Sequence, residues 1–214
     1  MHEIAPGLHT SDQDLRFFGV EIGARITVLD TPDGRLVHSP IDIDPATLDG
    51  VRWVLAPNKL HHLFVGDWAD SGAEVWASPG LPDKRPDVRF HGVVETGTHP
   101  FGPDFEVMAL TCFNLTNEVV IFHKPGRTLL VTDLVFHFTP RFPWFTRAAM
   151  WGSFAYPGCC ASLLERVGMN RSVARTEIAR ILEWDFDRLV MAHGDVIETD
   201  GKAALRRAYH WLKL

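Results

Sequence analysis

Short apolar or alternating runs dominate the first two thirds of the chain, and they read as strands because period-two alternation suits a half-buried sheet. Residues 15–22, 24–30 and 35–39 are such runs, rich in Phe, Val and Ile, and predict antiparallel β-structure. Thr31-Pro32-Asp33-Gly34 closes a hairpin between two of them, Pro fixing φ and Gly allowing a positive φ. Asp44-Pro45 opens a short helix, with Asp as cap and Pro at the first helical position. From Val51 the grammar changes to strand (51–56), polar break (Pro57-Asn58-Lys59) and helical spacing (60–68). Strands follow at 74–77, 91–94, 105–110, 118–122 and 128–132, with Lys124-Pro125-Gly126-Arg127 as a further hairpin turn. Beyond Asp133, apolar stripes through Val173, Ile178, Ile181 and Leu182, and again through Leu205, Ala208 and Leu212, predict amphipathic helices. Asp200 is the expected cap of the second, and a strand at 188–192 separates them. This order predicts an α/β fold and fits a layered sandwich with helices outside two sheets, although periodicity alone does not choose it over other α/β layouts.

Composition narrows the class. The chain has 214 residues, which suits a single domain over 1–214, and its 46% hydrophobic and 22% charged residues exclude a disordered chain. Lys and Arg number 21 against 27 Asp and Glu, a net charge of −6 with no run of like charge. That balance speaks against nucleic acid and against an anionic membrane as partners. The first residues hold no basic stretch leading into an apolar one, and no apolar run approaches membrane-spanning length. A cytoplasmic protein without a membrane span is expected. Cys112, Cys159 and Cys160 are too few and too odd in number for a disulfide framework; small buried hydrophobes are the expectation, with soft-metal binding by the vicinal pair as the alternative.

Three segments share one design. Val54-Leu55-Ala56 runs into Asn58, His61 and His62; Leu129 to Thr132 runs into Asp133; Leu189 to Ala192 runs into His193. Loops at strand carboxyl ends are where α/β proteins build sites, since the buried strands fix positions while the loops stay reachable. Two imidazoles and a carboxylate suit a zinc or iron ion with open positions left for water. Each residue alone has a plain structural explanation: Asp133 as a helix cap, His193-Gly194 as a turn. Adjacent side chains such as those of His61 and His62 diverge, so one at most enters a shared site. The remaining histidines, His38 among them, and the glutamates, Glu118 among them, have no spacing that marks them.

The stretch from Val54 to Gly66 resembles the metal-binding segment of metallo-β-lactamase-like hydrolases, with several ligands replaced. Leu129 to Leu134 resembles their strand ending in aspartate, Val190 to Gly194 their closing His-Gly, and residues 116–122 the strand that follows their middle histidine. The resemblance implies an αββα four-layer sandwich. Position by position, it places the family's first two histidines on Asn58 and Leu60, its aspartate on His62, the last histidine of that segment on Leu63, and the middle histidine on Asn114. Asp133 matches the bridging aspartate and His193 the final histidine. One ion held by His62, Asp133 and His193 is thus implied and a pair of ions is not; a shift of one residue would substitute His61.

Phe136 to Tyr156 crowds eight aromatic residues, Trp144 and Trp151 among them, without a clean period. It reads as a pocket wall over the site, as an interface with a second copy or a membrane surface, or as satellite core. Two functions compete. One is a metal-dependent hydrolase of a small ester, thioester or amide, in which Asp133 also orients the water. The other is a binding or regulatory module without turnover, which neutral Asn58 and Asn114 favour. Both take a small-molecule ligand.

Overall fold

The computed structural model describes residues 1–214. The first sheet is built from β1 (His2–Ala5), β2 (Leu8–Gln13), β5 (Ala24–Thr31), β6 (Gly34–His38), β7 (Val51–Ala56), β8 (Glu74–Ala77) and β9 (Gly92–Val93), in that spatial order. A small hairpin of β3 (Arg16–Phe17) and β4 (Val20–Glu21) stands apart from it. From β1 to β6 neighbours run antiparallel; from β6 to β9 they run parallel. The second sheet orders β10 (Phe105–Ala109), β11 (Val119–His123), β12 (Thr128–Leu130) and β15 (Arg188–Val190), with only the last pair parallel. Between β12 and β15 lie a two-stranded ribbon of β13 (Phe136–Phe138) and β14 (Gly158–Cys160), and helices α3 (Trp144–Gly152), α4 (Leu163–Gly168) and α5 (Arg171–Ile181). Helices α1 (Val65–Asp70) and α2 (Leu81–Lys84) flank β8, and α6 (Gly201–Ala208) follows β15.

Alternation of side chains along the central strands divides the apolar residues into three layers. In β7, Trp53 and Leu55 enter the core between the sheets, where Leu36, Ile121, Leu130 and Val190 meet them. Val54 and Ala56 point the other way, under Val65 and Trp68 of α1. On the second sheet, Leu129 and Leu189 face outward onto Ile178 and Ile181 of α5 and Leu205 of α6. Helix, sheet, sheet and helix therefore stack in four layers, as expected.

Several expectations need correction. Residues 15–22 do not form one strand: Phe18 and Gly19 take positive φ and turn the run into the β3–β4 hairpin. Strands β1 and β2 precede the first run that the pattern marks, because His2, Glu3, Ser11 and Asp12 leave them without an apolar run; β1 is the sheet's edge and β2 lies between it and β5. The helix expected over 60–68 begins only at Val65, the chain before it being held in turns. Asp200 sits at the start of α6 but accepts no capping hydrogen bond, its φ of 59° turning the side chain away. No helix is long and apolar enough to cross a membrane.

Candidate metal centre

The exits of β7, β12 and β15 lie at one edge of the sandwich, and one side chain ties the first two together. Asn58, fully buried after β7, accepts on Oδ1 the backbone N–H groups of Leu60 (2.7 Å) and His61 (2.8 Å). Its Nδ2 donates to Thr132 Oγ1 and Asp133 Oδ2, both at 2.8 Å. One amide thus shapes the loop that carries His61 and fixes the carboxylate of Asp133.

His61 Nε2 and His193 Nε2 each stand 3.5 Å from Asp133 Oδ1, longer than a good hydrogen bond. The three ligand atoms lie within 4.8 Å of one another. Donor atoms about 2.1 Å from one shared tetrahedral ion stand about 3.4 Å apart, so the spacing fits a single ion. The outer nitrogens support the same reading. His193 Nδ1 is 2.6 Å from the Gly23 carbonyl, which can only accept, so Nδ1 carries a proton and Nε2 is the nitrogen turned to Asp133. His61 Nδ1 meets Ser39 Oγ at 2.9 Å. Partners of this kind orient metal-ligating imidazoles. The ring of Phe136 stacks on that of His193 with centroids 5.9 Å apart and closes one side.

Burial would raise the Asp133 carboxyl, yet His61 and His193 hold it well below the usual carboxylate range. Behind it lies Glu118, whose buried carboxylate accepts the backbone N–H groups of Thr132 (2.6 Å) and Asp133 (2.8 Å). Burial, and then the Asp133 charge, pushes Glu118 up to about 8. Two acids so opposed are a feature of functional sites as well as of structural networks. Gly194 follows His193 with a φ of 95°, and a Cβ there would overlap the carbonyl of His137. The His-Gly pair is therefore a close crossing of β13 over the ligand loop.

His62 does not join this group. Its Nδ1 lies 3.1 Å from an Arg85 Nη1 that also donates to its carbonyl at 2.8 Å, so it faces the α2 side of the loop. Burial, then Lys84 and Arg85, lower its affinity for a proton. His61 takes the place that the resemblance assigned to His62, because residues so close to the Asn58 turn point in opposite directions. Asn114 is exposed, its carbonyl taken by Lys59 Nζ. Trp144 and Trp151 are 74% and 69% exposed, which corrects their reading as a pocket wall; Phe136 is the aromatic of that segment that reaches the site. Two residues that sequence reasoning passed over belong here. Glu118 opens an otherwise apolar strand, and a lone acid in that context was its one signal. His38 ends β6, is 2% exposed and has an unpartnered Nε2; burial, with His61 nearby, lowers its pKa to about 3.

No protein-family model matches the chain, and no curated protein does. Solved structures do match in fold. A metallo-β-lactamase from Erythrobacter litoralis with β-mercaptoethanol in its active site aligns with a TM-score of 0.72 at 10% identity, over 99% of this chain and 95% of that one. A metallo-β-lactamase from Pseudomonas aeruginosa in its mono-zinc form aligns at 0.67 and 8%, over 99% and 95%. A metal-soaked flavodiiron core from Synechocystis aligns at 0.68 and 11%, over 98% of this chain and 59% of that one. The chain thus has the metallo-β-lactamase fold, with a His-Asp-His group at the sandwich edge.

Proposed function

We propose that this metallo-β-lactamase-like sandwich is a mononuclear metal-dependent hydrolase, holding one zinc or iron ion on His61, Asp133 and His193 and acting on a small ester, thioester or amide. The observation that carries the reading is the convergence of two imidazole Nε2 atoms on one carboxylate oxygen while both Nδ1 atoms are engaged elsewhere. When bound, such an ion acidifies water and polarises a carbonyl. The chain's own residues do the rest. Gly23 and Ser39 fix the ring orientations, Asn58 and Glu118 fix the Asp133 carboxylate and its backbone, and Asp133 Oδ1 is the oxygen left facing the two imidazoles.

One observation favours the second reading, a binding module without turnover. Asp133 Oδ2 is occupied by a neutral amide, Asn58 Nδ2, so the carboxylate is not free to bridge two ions. Zinc titration followed by hydrolysis of a p-nitrophenyl ester and an acyl thioester separates the two. His61→Ala is expected to abolish both zinc binding and turnover, while His62→Ala keeps both. Zinc binding without turnover of either substrate selects the module. Zinc binding that survives His61→Ala removes the proposed centre.

A further inference from the structure

Helix α3 is inverted for a surface helix. Its one buried residue is polar: Thr146 donates from Oγ1 to the Glu21 carbonyl of β4 at 3.1 Å. Its outward face carries Trp144, Ala148 and Trp151, spaced four and seven positions apart and so on one side. The apolar surface continues past the helix on both sides. The β3–β4 hairpin against which α3 packs carries Phe17 and Phe18 at its tip, Phe18 being 92% exposed. Phe154 follows α3, and α4 is joined there by the bond from Leu163 N–H to the Ser153 carbonyl (2.6 Å), adding exposed Leu163, Leu164 and Val167. Large exposed apolar side chains gathered on neighbouring elements mark a surface that another phase or molecule covers.

Charge says which. Although the whole chain is acidic at −6, residues 134–164 contain Arg141 and Arg147 and not one Asp or Glu. Two arginines border aromatic rings: Arg141 lies over Phe142 at 5.1 Å, and Arg166, just past that stretch in α4, over Phe154 at 5.6 Å. Arg141 also pairs with Asp195. An apolar face with Trp outward and a cationic rim is the pattern of a helix lying in the plane of a bilayer, aromatic rings in the headgroup zone and guanidinium groups reaching phosphates. We propose that the face formed by α3, the β3–β4 hairpin and α4 docks on a membrane surface bearing anionic lipid. The net charge of the chain is no obstacle, since it is screened beyond about 10 Å and the face carries Arg16, Arg141, Arg147 and Arg166 against a half-buried Glu21 and a buried Glu165. The inference goes beyond the metal reading and stands without it.

The test is flotation of the full chain with vesicles of phosphatidylcholine alone and of phosphatidylcholine with phosphatidylglycerol, alongside sedimentation equilibrium without lipid. Expected are a monomer, binding to the mixed vesicles that weakens with salt, and quenching of tryptophan by brominated lipid. Trp144→Ala with Trp151→Ala is expected to lower vesicle partitioning by about tenfold or more with unchanged melting, both side chains being exposed. Phe18→Ser, at the hairpin tip, is an independent variant expected to act in the same direction. A protein that stays with neither vesicle, or partitions equally with both tryptophans removed, overturns the proposal. So does a lipid-free dimer that the double substitution dissociates, which would make a second copy the occupant.

Discussion

At the scale of single residues, adjacent histidines take different work because one side chain sets the loop between them and the strand. Asn58 Oδ1 gathers the N–H groups of Leu60 and His61, which aims His61 at Asp133 and leaves His62 to Arg85. His38 offers a prediction of its own. Its pKa falls from 6.5 to about 3 in the folded chain, by burial and then by His61. Between those values the unfolded chain takes up a proton that the folded chain refuses, so stability is lost as pH drops below 6.5. The slope is about 1.4 kcal/mol per pH unit for that one group. Urea unfolding at about pH 7 and about pH 5 should show a smaller loss in His38→Leu than in the parent. Equal losses in the two proteins would place the acid sensitivity elsewhere.

At the scale of elements, the two C-terminal helices begin differently although both have an amide or acid at the cap. Asn170 accepts from Ser172 and Val173 at the start of α5, in extended backbone suited to the role. Asp200 lies in left-handed backbone and caps nothing. Asn170→Ala should therefore destabilise by about 1 kcal/mol. Asp200→Gly should be neutral or stabilise by about 0.5 kcal/mol, since glycine relieves the positive φ. Thermal melts of the pair read both signs, and since glycine keeps the backbone N–H that Asp200 donates to Asp187 Oδ1, a costly Asp200→Gly would assign a stabilising role to the Asp200 side chain itself. The outward face of α3 belongs to this scale too: helical spacing of tryptophans tells that they share a side, and only the packing of Thr146 onto β4 tells which side is wet.

At the scale of the whole molecule, two sheets bring three distant strand ends together, so a metal held on them would couple its binding to folding. Zinc at about a hundredfold excess over its Kd should add about 2.7 kcal/mol. For a chain of this length that raises Tm by about 5–10 °C, and a chelator should reverse it. Calorimetry with and without zinc checks this, and a His193→Ala variant with an undiminished shift would exclude that ligand. The apolar runs of β7, β12 and β15 by themselves marked buried strands, and period two leaves Val54 and Leu55 no choice but opposite cores, whereas the four-layer stacking was implied by the family resemblance and not by periodicity. The strand ends likewise marked Asp133 and His193, because a polar residue closing an apolar run must reach solvent or a partner. Three things were decided only by tertiary structure. Which of two neighbouring histidines turns inward depends on a hydrogen bond from Asn58 to a strand 74 residues away. Glu118 matters through backbone N–H groups, which carry no sequence signature. The aromatic segment has no period to reveal its exposure, since burial is a property of neighbours that the chain meets only on folding.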